Sequence, residues 1–335
     1  MMPTALDLQL DDFLSQAVGE SSTLPLAIRR FMREFGSLRP AEAMEIATAR
    51  VLELYWSSLS SDNPFHRRIS AERPNSIAAP ISIERLCSIV GLDLIGAPVL
   101  RERVARGADY ESAPRREHTG TLEFVEPRPI IRIPSNVGWN CARVAAAHEI
   151  GHALVHKRGN GYDQATIRLG STPAEEALAE YASRLLLLPR ELQERWRCEA
   201  PDGNYAVQCT KVAQRAHITL HAAVARLGDP DAENRQVRGA VFWRMVRKAV
   251  AGEVEEMLTP YWHLCPGAFI PIGRCRARKG SLIAELAAGG AHAAGSRIEQ
   301  VSIGSLSGMF LIDAFAWGSL TDRTRVVLSV FRFAI

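Results

Sequence analysis

The stretch VAAAHEIGHALVH runs from Val144 to His156. It is rich in Ala and free of Pro, so it reads as a helix. His148 and His152 are four residues apart, which puts both imidazoles on one helix face, within reach of a single metal ion. Glu149 is turned about 100° from His148, beside such an ion instead of on it. There its carboxylate can take a proton from a bound water. This is the HExxH arrangement, in which zinc brings the pKa of its water towards ~7 and the Glu serves as general base. Glu149 is therefore the candidate catalytic residue, and His148 and His152 are candidate zinc ligands.

Catalytic zinc takes three protein ligands and keeps one position open. His156 extends the histidine face, but the long three-histidine motif needs Gly at 155 and His at 158, where this chain has Val155 and Arg158. The next helix is the better source. Thr172 suits an N-cap, Pro173 the first helical position and Glu175 a capping-box carboxylate, while Pro189 ends the element. That helix offers Glu176 and Glu180, four residues apart on one face. One of them can bind zinc while the other orients a histidine through its second nitrogen.

Outward from this pair the chain reads as α+β. Residues 5–60 carry apolar residues at helical spacing (Ala41, Ala43, Ile46, Ala47, Val51, Leu52, Tyr55), and Ser57–Asn75 has the composition of a linker. Residues 81–91 form a short helix stopped by Gly91, and Gly120–Ile133 a strand pair around Pro127-Arg128-Pro129. Helices are expected over 140–157 and 173–188, then two short ones over 206–227. Beyond Val237, VFWRMVRKAVAGEVEEML reads as a helix, and GMFLIDAFAW and TRVVLSVFRFAI read as strands. The expected organisation is an N-terminal helical region (1–65), a metallopeptidase core (66–190), a helical module (191–235) and a C-terminal α+β domain (236–335).

The 335 residues are 47% hydrophobic and 23% charged, an ordinary globular composition that argues against disorder or a collagen-like chain. No run approaches the ~18 apolar residues of a membrane span, and the N-terminal MMPTALDLQLDD lacks the pattern of a signal peptide. Six cysteines with no CxxC spacing read as reduced thiols, and the expected location is the cytoplasm. The net charge is +3, and of 40 basic residues only Lys157, Lys211, Lys248 and Lys279 are Lys. The helix pair at 206–227 has the outline of a helix-turn-helix, the basis of a rival reading as a DNA-binding regulator. Yet residues 190–235 hold seven basic and seven acidic side chains, a poor footprint for a phosphate backbone. The dense basic cluster lies elsewhere, at Arg274, Arg276, Arg278 and Lys279.

AHEIGH at Ala147–His152 and EALAEYASRLLLLP at Glu176–Pro189 resemble the two motifs of the ImmA/IrrE zinc metallopeptidases, and the resemblance extends loosely over residues 76–228. It implies a gluzincin-like, zincin-type core with His148, His152 and Glu176 as zinc ligands and Glu149 as base. It also implies a helix-turn-helix-like module after the core, and in longer members a C-terminal GAF-like sensory domain. The implied activity is limited proteolysis of a regulatory protein, a helix-turn-helix repressor of stress or mobile-element genes. Where the family usually has Asn, this chain has Glu180, which keeps Glu180 open as an alternative ligand or orienting carboxylate. Tyr162, Tyr181 and His118 are candidates for stabilising the oxyanion. Thr121–Val125 or Ile130–Ile133 is expected to offer a sheet edge to an extended substrate. The alternative on the same fold is a non-catalytic, repressor-binding protein.

Overall fold

The helical periodicity of the N-terminal region resolves into two elements, α1 (Leu26–Glu34) and α2 (Pro40–Ser61). In α1, Ala27, Ile28 and Phe31 are buried, the i, i+1, i+4 pattern of an amphipathic helix. In α2, Met44, Ala47, Val51 and Tyr55 are buried at spacings of three and four. The structure is a computed structural model. It describes residues 24–37, 39–61, 80–96, 120–125, 128–135, 137–167, 171–193, 203–227, 237–250, 253–264, 270–271, 275–289, 292–318 and 325–333. Helix α2 continues through Ser57–Ser61, so the linker expected from Ser57 does not begin there; its remainder lies outside the described residues.

Next comes α3 (Ile83–Val90), where Ser82 accepts a hydrogen bond from the Arg85 amide. Gly91 closes the helix at φ 87°, a left-handed cap that glycine adopts without strain. Strands β1 (Asp93–Ile95), β2 (Thr121–Glu123) and β3 (Ile130–Arg132) form a three-stranded sheet in the order β1-β3-β2. β2 and β3 are antiparallel, with Leu122 opposite Ile131, as the sequence predicts. β1 pairs with β3 in parallel. This partner was not foreseen, and it makes β3 central. Ile130–Ile133 is therefore not an edge; among the described residues β2 carries one.

The HExxH helix is α4 (Trp139–His156). It packs against α1, α3, β2 and β3. Almost every side chain from Cys141 to His156 is buried, as expected of a helix with apolar residues on all sides. Ile150 and Val155 are fully buried, each contributing about 1.5–3 kcal/mol. A small hairpin, β4 (Lys157–Arg158) and β5 (Gly161–Tyr162), leads through α5 (Gln164–Ile167) to α6 (Pro173–Leu187). Tyr181 of α6 donates to Glu45 of α2 at 2.5 Å. The two short helices expected after it are α7 (Tyr205–Ala216) and α8 (Leu220–Leu227). Arg143 of α4, buried and pulled down to about 10 by that burial, donates to the carbonyls of Ile81, Ala216 and His217.

The chain divides into two compact units, Met1–Gln193 with Ala213–Arg226, and Glu194–Val212 with Leu227–Ile335. The second unit is built on a five-stranded antiparallel sheet in the order β7-β6-β10-β9-β8. Its strands are β6 (Val237–Val250), β7 (Glu253–Leu264), β8 (Ala294–Ile303), β9 (Leu306–Trp317) and β10 (Val326–Phe333), with α9 (Leu282–Ala288) packed on it. The strand pair expected at the C-terminus is β9 and β10. The helix expected over VFWRMVRKAVAGEVEEML is not formed; this segment is most of the β6–β7 hairpin. Four successive buried residues, Ala240 to Trp243, explain the difference: β6 is covered on both faces. Pro260 is tolerated because β7 is an edge strand. The α+β class stands. Among the described residues, no helix is long and apolar enough to cross a membrane.

Candidate metal centre

Two helices supply the site. On α4, His148 and His152 share a face, with ring centroids 4.8 Å apart. On α6, the capping box read from the sequence is present: Thr172 accepts from the Glu175 amide and Glu175 accepts from the Thr172 amide. That reciprocal cap starts the helix at Pro173 and occupies Glu175, leaving Glu176 to point elsewhere.

Glu176 meets both histidines. His148 Nε2 lies 3.2 Å from Glu176 Oε2, His152 Nε2 lies 3.4 Å from Glu176 Oε1, and the two Nε2 atoms are 3.1 Å apart. A tetrahedral zinc with N and O donors at about 2.0–2.1 Å holds them about 3.3 Å from one another. The Nε2–Nε2 separation and the distance from His148 Nε2 to Glu176 Oε2 match edges of that tetrahedron, while His152 meets the other carboxylate oxygen; two imidazoles and one carboxylate form a donor set that could hold a metal ion. The three residues form a group whose ligand atoms all lie within 4.8 Å of one another. His152 is nearly covered while Glu176 is half exposed, so the group is open to solvent on the carboxylate side.

Electrostatics holds the group together. Burial depresses the His148 imidazole, but the Glu176 hydrogen bond and the charges of Glu149, Glu176 and Glu180 carry it above its ordinary value. Hydrogen bonds from His148 and then His152 hold the Glu176 carboxyl well below the usual carboxylate range, aided by Ser171. Ser171 Oγ donates to Glu176 Oε1 at 2.7 Å.

Glu149 is half-buried on α4. Across from it stands Gly120, at the start of β2: a Cβ there would begin 3.5 Å from Glu149 Oε1 and 2.9 Å from Ile133 Cδ1. The absence of a side chain at Gly120 thus leaves the β2 edge close against the carboxylate.

The other residues considered from sequence are not among the three that meet. Glu180 is exposed and pairs with Arg184 at 3.5 Å, one turn along its own helix. His156 is buried, with Nδ1 2.9 Å from Thr166 Oγ1 and its ring edge-on to Phe124. Burial, and then the charges of His152 and Arg158, pull it down to about 4. The Tyr162 hydroxyl donates to the Val90 carbonyl, and burial pushes it up to about 12. Tyr181 is committed to Glu45. His118 lies outside the described residues.

Two residues escaped the sequence reading. Ser171 precedes the N-cap and is five residues from Glu176, a spacing that no helix pattern flags. Gly151 lies mid-helix, where glycine costs about 1 kcal/mol relative to Ala. That cost was the available signal of a close approach. A Cβ at Gly151 would fall 2.7 Å from Ala179 Cα, 2.9 Å from the Ala179 carbonyl oxygen and 2.9 Å from Ala182 Cβ. Here α6 touches the backbone of α4.

The chain matches no protein-family model and no curated protein. Among solved structures it is similar to a Mycobacterium tuberculosis transcriptional regulator, at 14% identity over 75% of this chain and 74% of that one, with a TM-score of 0.36. A likeness of that degree carries no argument about function.

Proposed function

We propose that this chain is a zinc-dependent endopeptidase of the cytoplasm, a member of the ImmA/IrrE group with a zincin-type core, that cleaves a helix-turn-helix repressor. One observation carries the reading: two imidazoles and a carboxylate from neighbouring helices, at 3.1–3.4 Å from one another, with an HExxH glutamate beside them. His148, His152 and Glu176 would hold the metal. When bound, zinc supplies a polarised water and a Lewis acid for the scissile carbonyl. Glu149 takes the proton of the attacking water on its carboxylate and returns it to the leaving amine. Ser171 orients Glu176. The edge that β2 forms among the described residues offers backbone groups to an extended peptide, and Gly120 brings that edge beside Glu149. The second unit, in this reading, is the regulatory domain, GAF-like in kind.

Buried thiols fit a reducing compartment. Cys87 and Cys209 are pushed up to about 12 by burial, which leaves them inert. The DNA-binding alternative is weakened by α8. From Leu220 to Arg226 each residue is buried or half-buried, whereas a recognition helix must present an exposed face to the groove.

The test is metal content together with cleavage. Purified protein is expected to hold about one zinc per chain, lost in His148→Ala, His152→Ala and Glu176→Ala and kept in Glu180→Ala. Glu149→Gln is expected to keep the metal and lose cleavage of a co-expressed repressor. Wild-type cleavage by Glu149→Gln would refute the mechanism, and metal loss in Glu180→Ala alone would refute the ligand set.

A further inference from the structure

The stretch of the basic run at 276–279 has no part in the metal centre, yet it borders a cleft of about 470 Å³ in the second unit. The cleft lies between the 276–283 segment and the sheet, and its size suits a small molecule. Its floor is apolar, formed by Trp243, Val301 and Ile312, which are buried. Its mouth is cationic. Arg297 is already matched there: it pairs with Glu285 at 2.5 Å and with Glu299 at 3.4 Å. Glu299 in turn accepts the Leu282 amide at 2.7 Å. Arg278 and Lys279 also line the cleft, are exposed, and have no acidic partner among the described residues. Arg276 lines the cleft as well, so among the described residues its four cations exceed Glu285 and Glu299 by two.

We propose that this cleft binds a small phosphomonoester, its organic part within the cleft and its phosphate at Arg278 and Lys279. The charge is the argument. A phosphomonoester carries about −1.5 to −2 at neutral pH, which that excess of two positive charges neutralises, and its oxygens suit Arg donors. A monocarboxylate would leave one cation over. A nucleic-acid strand would meet Glu285 and Glu299 along the same rim, and its chain is too large for the cleft. The site is independent of the metal centre.

The experiment is calorimetric titration of the full chain with phenyl phosphate and with AMP, set against phenol and adenosine. Both phosphates are expected to bind, with little or no binding of the uncharged partners. The double variant Arg278→Ala, Lys279→Ala is expected to weaken binding about tenfold or more with no change in thermal unfolding, since both side chains are exposed. A His148→Ala chain is expected to bind as the wild type does, which separates this site from phosphate held by zinc. Binding of both phosphates no tighter than about 1 mM, wild-type affinity in the double variant, or loss in His148→Ala would each overturn the proposal. So would an oligothymidylate series whose affinity rises with length and which displaces phenyl phosphate.

Discussion

Gly151→Ala tests whether the contact between α4 and α6 sets the metal centre. In an ordinary helix interior this change stabilises by about 1 kcal/mol, because glycine is the poorer helix former. Here the new Cβ would lie 2.7 Å from Ala179 Cα and 2.9 Å from the Ala179 carbonyl oxygen. Carbon atoms rest at about 3.5–4.0 Å, so α6 must retreat by about 0.8–1.3 Å. Both obstacles are backbone, and neither can rotate away. Overpacking costs about 1–3 kcal/mol, here towards the upper end, so the net loss is about 1–2 kcal/mol. With about 2–4 °C per kcal/mol for a unit of this size, the metal-free protein should unfold about 2–8 °C lower. Glu176 lies three residues before Ala179 and moves with it, while metal–donor distances tolerate only about 0.2 Å. Zinc affinity, read by competition with a chromophoric chelator, should fall at least about tenfold. Gly161→Ala is the control, since nothing lies within 4 Å of its added Cβ. If Gly151→Ala unfolds at or above the wild-type temperature and binds zinc as tightly, the close approach does not hold Glu176 in place.

Ser171→Ala removes the hydroxyl that donates to Glu176 at 2.7 Å; zinc affinity should drop about tenfold, with recovery in Ser171→Thr. An unchanged affinity would show that Glu176 needs no such support. The buried His156 makes stability depend on pH in the metal-free protein. Its pKa falls from 6.5 to about 4 on folding, so between those values the unfolded chain binds the proton that the native chain refuses. Its stabilisation is full above pH 6.5 and is lost as pH falls towards about 4. Urea unfolding across that window should show the decline, and it should be shallower in His156→Gln. An equally steep decline in that variant would place the titration elsewhere.

What was legible in the sequence follows the range of the forces involved. Capping is local, and the Thr172–Glu175 box and the Gly91 stop were both readable from neighbouring residues. The β2–β3 hairpin was readable for the same reason. The parallel partner β1 was not, because its pairing closes over the long segment between Ile95 and Ile130 and leaves no local mark. The β6–β7 hairpin was misread because Arg, Lys, Ala and Glu imitate an amphipathic helix. A strand buried on both faces loses the alternation that would identify it, so Ala240 to Trp243 offered no period of two.

The choice between Glu176 and Glu180 shows how tertiary packing separates two residues that local periodicity treats alike. Both lie on one face of α6 in the sense that four residues make roughly a turn. The helix crossing breaks the tie. Ala179 and Ala182 face Gly151, which defines the side of α6 turned towards α4. Glu176 is three residues before Ala179, about 60° round the helix and one turn nearer the N-terminus, where it meets His148 and His152. Glu180 follows Ala179 by one residue, turned about 100° away, and stands exposed beside Arg184. A glycine in the histidine helix and two alanines in the glutamate helix are complementary marks of one contact. Read together, they point to Glu176 as the carboxylate that reaches the histidines, although neither mark does so alone.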